Sequence, residues 1–241
     1  MTETADGTPF RWRGRTGPFE LLLGEGVFQP SSTSVAVAEA LEVAPDDTVL
    51  DVGCGSGILS FVAARLGASQ VYGCDISEEA IVAARENAGR LGLSDVTEFR
   101  VGNLLEPVSD VEADVVIGDV SGIPDEIAKM TGWFPGGRGG GPTGSELPTA
   151  MLQGIRNVLR PGGRLYLPTG TIQAEDVVLA AARRAFGVDN LEVVLERHFP
   201  LPDLVGRSEV FTRMMASGLV AIKQRGTRML WRLRIWCCTH R

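Results

Sequence analysis

Two acids, Asp51 and Asp75, each close a short apolar run, and a turn of alternating glycines follows the first. The runs are Val49-Leu50-Asp51-Val52 and Val71-Tyr72-Gly73-Cys74-Asp75, and the turn is Gly53-Cys54-Gly55-Ser56-Gly57. Glycines let a ligand approach bare backbone. An acid at the end of the next strand accepts hydrogen bonds from the paired hydroxyls of a ribose. Together they predict the nucleoside-binding half of an α/β sheet. Spacing separates the candidate nucleosides. A dinucleotide fingerprint reads G-x-G-x-x-G and sets pyrophosphate on a helix N-terminus. Here the glycines occupy 53, 55 and 57 and Ile58 follows, so the turn departs from that fingerprint. NAD-linked redox chemistry is kept as a third option.

This pattern resembles motif I of the class I S-adenosylmethionine (SAM)-dependent methyltransferases. The resemblance implies SAM as cofactor, with S-adenosylhomocysteine as its product. It also implies that Asp51, Gly53, Cys54, Gly55, Ser56 and Gly57 form the motif I turn, which passes the methionine part. Asp75 would take the ribose, and Ile76 would pack beside the adenine. Val101-Gly102-Asn103-Leu104-Leu105 is similar to a segment that often reads Gly-Asp-Leu in that family. Asn103 and Leu104 are thereby implied at the adenine, with an amide oxygen at 103 in place of a carboxylate.

A third acid, Asp119, closes the run Val115-Val116-Ile117-Gly118. A carboxylate there can orient an amine or hydroxyl, or take its proton where burial raises the pKa. As a plain cap at a strand end it would do neither. Methyltransferases acting on planar nitrogen often carry Asn/Asp-Pro-Pro-aromatic at this place. Asp119 fits the first position, but Val120-Ser121-Gly122 lacks the remainder, which speaks against glutamine or nucleobase amines. Gln29-Pro30-Ser31-Ser32 resembles the His-Pro-Thr-Thr of the ribosomal-protein L11 methyltransferases. Gly140-Gly141-Pro142-Thr143-Gly144 resembles the Gly-Gly-Pro-Asp-Gly of the release-factor glutamine methyltransferases. The likeness spans about residues 28–169. The L11 enzymes carry an N-terminal recognition domain, and the absence of room for one before residue 28 counts against a ribosomal substrate. Gln29, Ser31, Ser32, Thr33, Ser121 and Trp133 are the candidate acceptor contacts. Phe134 could stack beside Trp133, and Arg138 could meet an anion, in a glycine-rich loop placed to act as a lid. His198 and His240 are poor candidates for a base.

The elements that position these residues follow from periodicity and turn chemistry. Residues 1 to about 17 read as loosely attached. A hairpin is expected over Phe19–Phe28, turning at Gly24-Glu25-Gly26, and a helix over Thr33–Glu42. Strands follow at Thr48–Val52, Gln70–Cys74, Val96–Val101, Ala113–Gly118 and Arg164–Leu167. Helices are expected from Gly57 to Leu66, from Ser77 to Leu91, around Leu147–Leu159 and at Ala174–Phe186. Ser121–Gly144 reads as irregular and Arg160-Pro161-Gly162-Gly163 as a turn. Leu191–Phe199 reads as a strand and Leu204–Ser217 as a helix. Met229 to Cys237 alternates apolar and polar residues and is expected to pair with Leu219–Gln224. The predicted fold is α/β: a Rossmann-like, seven-stranded, mostly parallel sheet with helices on both faces and a C-terminal antiparallel hairpin. Residues 1–45 would form an N-terminal cap and 46–241 the SAM-dependent methyltransferase domain.

The chain has 241 residues and a net charge of −7, which argues against wrapping a nucleic-acid backbone. No apolar run approaches the roughly 20 residues of a membrane helix, and no signal-peptide core opens the chain, so a cytoplasmic location without membrane contact is expected. Four cysteines show no zinc-type spacing. No metal is expected, and Cys237, Cys238 and His240 read as a frayed tail. From Phe211 onward there are seven basic residues and no acid. They read as the solvated face of a terminal hairpin, or alternatively as a surface for an anionic substrate or partner. The expected activity is methyl transfer to N or O of a small polar metabolite, in a setting such as specialised metabolism. A protein side-chain acceptor is the alternative. A catalytically silent SAM-binding partner of an active homologue is the alternative of another class. The oligomeric state is left open.

Overall fold

The computed structural model describes residues 7–133, 139–226 and 228–241. A hairpin of β1 (Thr8–Trp12) and β2 (Phe19–Leu23) leads into helix α1 (Ser32–Ala40). The alternating core follows as β3 (Thr48–Val52), α2 (Ile58–Leu66), β4 (Gln70–Asp75), α3 (Glu78–Leu91), β5 (Thr97–Val101) and β6 (Ala113–Ile117). Next come α4 (Asp125–Thr131), α5 (Glu146–Gly154), β7 (Leu159–Gly170) and α6 (Glu175–Phe186). The chain closes with β8 (Leu191–Pro200), α7 (Asp203–Gly206), α8 (Glu209–Ala216), β9 (Lys223–Arg225) and β10 (Arg228–Thr239).

The large sheet has the order β5-β4-β3-β6-β7-β10-β8, with β9 paired to β10 alone. β3 to β7 pair in parallel, and β10 runs antiparallel between β7 and β8. This is the expected mostly parallel, Rossmann-like sheet. Strand order reverses between β3 and β6, and in open α/β sheets that switch point opens a crevice at the carboxyl ends of the strands. Asp51 lies in β3 and Asp119 just past β6, so the fold places both at that crevice.

Parallel strands covered on both faces need apolar residues on both sides. Val49 and Val71 pack with Val37 of α1, Phe61 of α2 and Ile81 of α3 on one face. Leu50, Val116 and Leu165 pack with Met151 and Val178 from α5 and α6 on the other. A smaller cluster joins Ile127 of α4 to Val205, Phe211 and Met214 of α7 and α8. No helix among the described residues is long and apolar enough to cross a membrane.

Several expectations change. The N-terminal hairpin is formed by β1 against β2; the expected turn at Gly24-Glu25-Gly26 is present, closed by the Val27 amide on the Gly24 carbonyl, but it does not join the paired strands. The stretch expected to be loose includes Trp12, which is 1% exposed and donates from Nε1 to the Arg15 carbonyl. Burial of a side chain this large contributes about 1.5–3 kcal/mol, enough to hold a short strand. The irregular stretch contains α4. The Arg160–Gly163 turn is absorbed into the longer β7. The expected helix over Leu204–Ser217 is two helices, because Ser208 caps α8 by accepting from the Phe211 amide. β10 spends most of its length between β7 and β8, and only its first residues pair with β9. The tail is not frayed: Cys238 is buried, and His240 accepts from Arg156 and meets the Leu159 carbonyl.

Candidate functional site

The glycine turn is shaped by backbone conformation. Gly53, Gly55 and Gly57 have φ of 75°, 52° and 87°, a region that suits glycine and strains other residues. A Cβ on Gly57 would lie 2.6 Å from the Phe61 ring, so there the glycine is also required by packing. A Cβ on Gly55 would meet nothing within 4 Å, so its backbone faces open space that a ligand can enter. The amides of Gly53 and Cys54 both donate to the Cys74 carbonyl, which ties the turn to β4.

Asp75 holds the turn from the other side. Its Oδ2 accepts from the Gly55 amide at 2.9 Å and its Oδ1 from the Ser77 amide at 2.9 Å. Each oxygen keeps a further lone pair, which suits a pair of ribose hydroxyls. Ile76 and Val101, just past β4 and at the end of β5, are 64% and 46% exposed. Two bare aliphatic side chains beside Asp75 make an apolar ledge for a flat base. Asn103 is exposed beside them, and Leu104 turns at φ 48° while its carbonyl receives the Cys74 thiol. Burial pushes the Cys74 thiol up to about 12 and the Cys54 thiol well above its ordinary value, so both are neutral packing groups.

Asp51 is 1% exposed. Its Oδ2 accepts from the Ser60 hydroxyl at 2.6 Å, while its Oδ1 is buried without a partner. Burial pushes its carboxyl up to about 7; the Ser60 hydrogen bond opposes this, and the negative charges of Asp119 and Asp75 add to it. Burial likewise pushes Asp119 up to about 6, against a hydrogen bond from Ser34. Among the described residues no ion pair joins Asp51, Asp75 or Asp119 to a base. A buried carboxylate with a bare oxygen and two acidic neighbours, as at Asp51, costs stability unless a cation joins it. The site therefore fits a positively charged nucleoside. SAM carries a sulfonium, an ammonium, a ribose diol and a flat base, and Asp51, Asp75 and the Ile76–Val101 ledge answer these groups. The buried Ser56 hydroxyl, also without a partner, adds a polar group at the turn.

The acceptor side is only partly as expected. Ser31 caps α1, its Oγ accepting from the Thr33 amide, so this hydroxyl is occupied by the helix. Ser34, three residues on, completes the capping box and donates to Asp119 Oδ2 at 3.3 Å. Ser34 is thus the α1 residue joined to the site, and the S-x-x-S capping spacing was the signal for it. Gln29, Ser32 and Thr33 lie around this helix start, with Gln29 and Ser32 exposed. Trp133 is 37% exposed after α4, while Phe134 and Arg138 lie outside the described residues. Gly139 to Gly144 pack tightly: Cβ atoms on Gly140 and Gly144 would fall within 2.5 Å of the Ser121 and Gly122 carbonyls. These glycines let two backbones cross, so this half of the expected lid is a packed layer.

Two residues have roles that patterns did not reveal. Gln173, 5% exposed, presses its amide oxygen against Gly122, where a Cβ would be 2.3 Å away; its Nε2 and the Ser121 Oγ are buried without partners. Asn87 of α3 exchanges two hydrogen bonds with the Leu22 backbone, at 2.8 and 3.0 Å, and donates at 3.4 Å to the Ser56 carbonyl. It ties the N-terminal hairpin to the glycine turn. Nothing in its sequence surroundings marks it except its place on the buried face of α3.

Comparison with known proteins agrees with this geometry. The family model described as "Methyltransferase domain" matches residues 44–196. The chain belongs to this family, the class I methyltransferases whose cofactor is SAM. The ribosomal protein L11 methyltransferase of Syntrophomonas wolfei is 34% identical over 146 residues, covering 57% of this chain and 44% of the relative. The release factor glutamine methyltransferase of Moorella thermoacetica is 34% identical over 184 residues, covering 73% of this chain and 62% of the relative. The chain thus spans about half the length of these relatives. Solved structures share the fold. The L11 methylase of Lactobacillus delbrueckii covers 90% of this chain and 84% of its own at TM-score 0.53 and 22% identity. The Thermus thermophilus 16S rRNA N2 G1207 methyltransferase, in complex with AdoMet and guanosine, covers 97% and 50% at TM-score 0.61 and 15% identity. The expectation of a small-metabolite acceptor is overturned, because the relatives at 34% identity are named for protein substrates. That expectation rests on the lack of a recognition domain before residue 28 and of a large basic field, and neither fixes the acceptor class.

Proposed function

We propose that the protein is a SAM-dependent protein methyltransferase acting on a polar side chain. The observation that carries the acceptor class is kinship over 73% of the chain with an enzyme named for a protein substrate. The carboxylates at the switch point support the chemistry. When bound, SAM supplies an activated methyl group. Asp75 and the Gly55 backbone would hold its nucleoside, and Asp51 would meet a cationic group through the buried oxygen that lacks a partner. Asp119 would accept a hydrogen bond from the incoming N–H or O–H and orient its lone pair. With its carboxyl at about 6, Asp119 is ionised at neutral pH and free to accept. Ser34 fixes the Asp119 oxygen that faces α1. The acceptor would enter between the start of α1 at Gln29–Thr33, the Asp119–Gly122 segment and Trp133. Residues 1–45 are proposed as a cap on a methyltransferase domain of residues 46–241.

The test is incubation of the protein with methyl-labelled SAM and extract from its source cells, followed by separation and protease treatment. Label in protease-sensitive macromolecules supports the reading. Label confined to small molecules overturns it.

A further inference from the structure

Of the seven basic residues after Phe211, the C-terminal Arg241 stands apart and the other six divide into two sets. Arg213, Arg232 and Arg234 each have an acid, with Glu126 at 3.4 Å, Glu175 at 2.8 Å and Glu196 at 2.8 Å respectively. These are structural pairs. Lys223, Arg225 and Arg228 are exposed, and no ion pair reaches them among the described residues. Arg225 stands directly opposite Arg228 in the β9–β10 register, and Lys223 opposite Leu230. Residues i and i+2 of a strand share a face, and so do directly paired residues. All three cations therefore stand on one face of this hairpin. Like charges placed directly opposite each other destabilise a hairpin, and no counter-charge among the described residues offsets that cost; what holds the hairpin is Met229, packed against the α7–α8 cluster.

Register also fixes where the hairpin points. Leu233 of β10 pairs with Gly170, the last residue of β7. β7 is parallel to β6, and β6 to β3. The residues of β10 before Leu233 therefore run past the same sheet edge from which Asp51 and Asp119 face the crevice. The free cations project beyond the catalytic edge.

We propose that the face of Lys223, Arg225 and Arg228 docks an acidic polypeptide segment neighbouring the methylated side chain. This rests on the reading of the protein as a protein methyltransferase. Three free charges suit a short acidic segment. Tight nucleic-acid binding draws on roughly 6–10 phosphate contacts, and the chain as a whole carries −7.

The test uses the full chain and two labelled probes, a ten-residue glutamate-rich peptide and a ten-nucleotide RNA, with binding followed by anisotropy against salt. The variants are the triple Lys223→Glu/Arg225→Glu/Arg228→Glu and the neutral triple Lys223→Gln/Arg225→Gln/Arg228→Gln. The proposal expects the peptide to bind in a salt-dependent way and to lose roughly tenfold in affinity in the neutral triple, and more in the reversed one. It also expects the melting temperature of the neutral triple to equal or exceed that of the parent, since repulsion is removed. Equal peptide binding by parent and variants overturns the proposal, as does tighter binding of the RNA than of the peptide. SAM affinity is measured alongside. Peptide binding needs no turnover: a parent that labels protein from SAM yet does not bind the peptide overturns the docking proposal alone, whereas a parent that labels only small molecules overturns the acceptor reading.

Discussion

Replacing Asp51 by asparagine should stabilise the ligand-free protein while crippling its cofactor site. The carboxyl rises from its ordinary 3.8 to about 7 because it is buried, with one oxygen lacking a partner. Between those pH values the folded state binds more protons than the unfolded chain. Stability therefore falls as pH rises from about 4 to about 7 and is level above that. At roughly 1.4 kcal/mol per pH unit, the ionised carboxylate costs about 4 kcal/mol at pH 8. Asparagine removes the charge and keeps an oxygen for the Ser60 hydroxyl. Thermal unfolding without ligand should show Asp51→Asn melting about 10 °C above the parent at pH 8, with the gap closing toward pH 4.5. SAM binding by calorimetry should weaken roughly 30- to 150-fold, the worth of a charge-assisted hydrogen bond at about 2–3 kcal/mol. Affinity of the parent should also fall about tenfold per pH unit below 7, with proton release on binding. A variant no more stable than the parent at pH 8, or a gap that ignores pH, would refute the picture of a carboxylate held ready for a cation.

Asp75→Ala removes the acceptor for the Gly55 and Ser77 amides, and SAM affinity should drop at least about 100-fold while unfolding shifts by only about 1–2 kcal/mol. Asp119→Asn should leave SAM affinity within about twofold yet slow methyl transfer at least about 100-fold. In the parent, the rate should climb through about pH 6 as Asp119 ionises, and that limb should vanish in the variant. Gly122→Ala would set a Cβ 2.3 Å from the Gln173 amide oxygen; unfolding should lose about 1–3 kcal/mol, read as a melting temperature lower by about 5 °C.

The parts of this site legible in the sequence are those where local chemistry and position coincide. Asp51, the three glycines and Asp75 are adjacent to strand ends that apolar runs mark, so the motif and the fold point to one place. Asp119 is legible for the same reason. The long-range contacts of Ser34, Asn87 and Gln173 are not, because each acts across more than fifty residues of chain, on Asp119, Leu22 and Gly122 respectively. The N-terminal strand escapes pattern reading because Trp12 is buried by tertiary packing, not by periodicity. The basic C-terminal residues appear uniform along the chain, and only the acids across the sheet divide them into paired and free. The acceptor class is not legible, because the expectation of a small molecule rests on the lack of a recognition domain before residue 28 and of a large basic field, and neither touches the chemistry of the acceptor site.

The most direct test of the site is a crystal structure with S-adenosylhomocysteine. The ribose hydroxyls should lie on Asp75, the adenine against Ile76 and Val101, and the amino group within hydrogen-bonding distance of Asp51 at pH 8. A ribose placed away from Asp75, with Asp51 still lacking a partner for its buried oxygen, would contradict this arrangement.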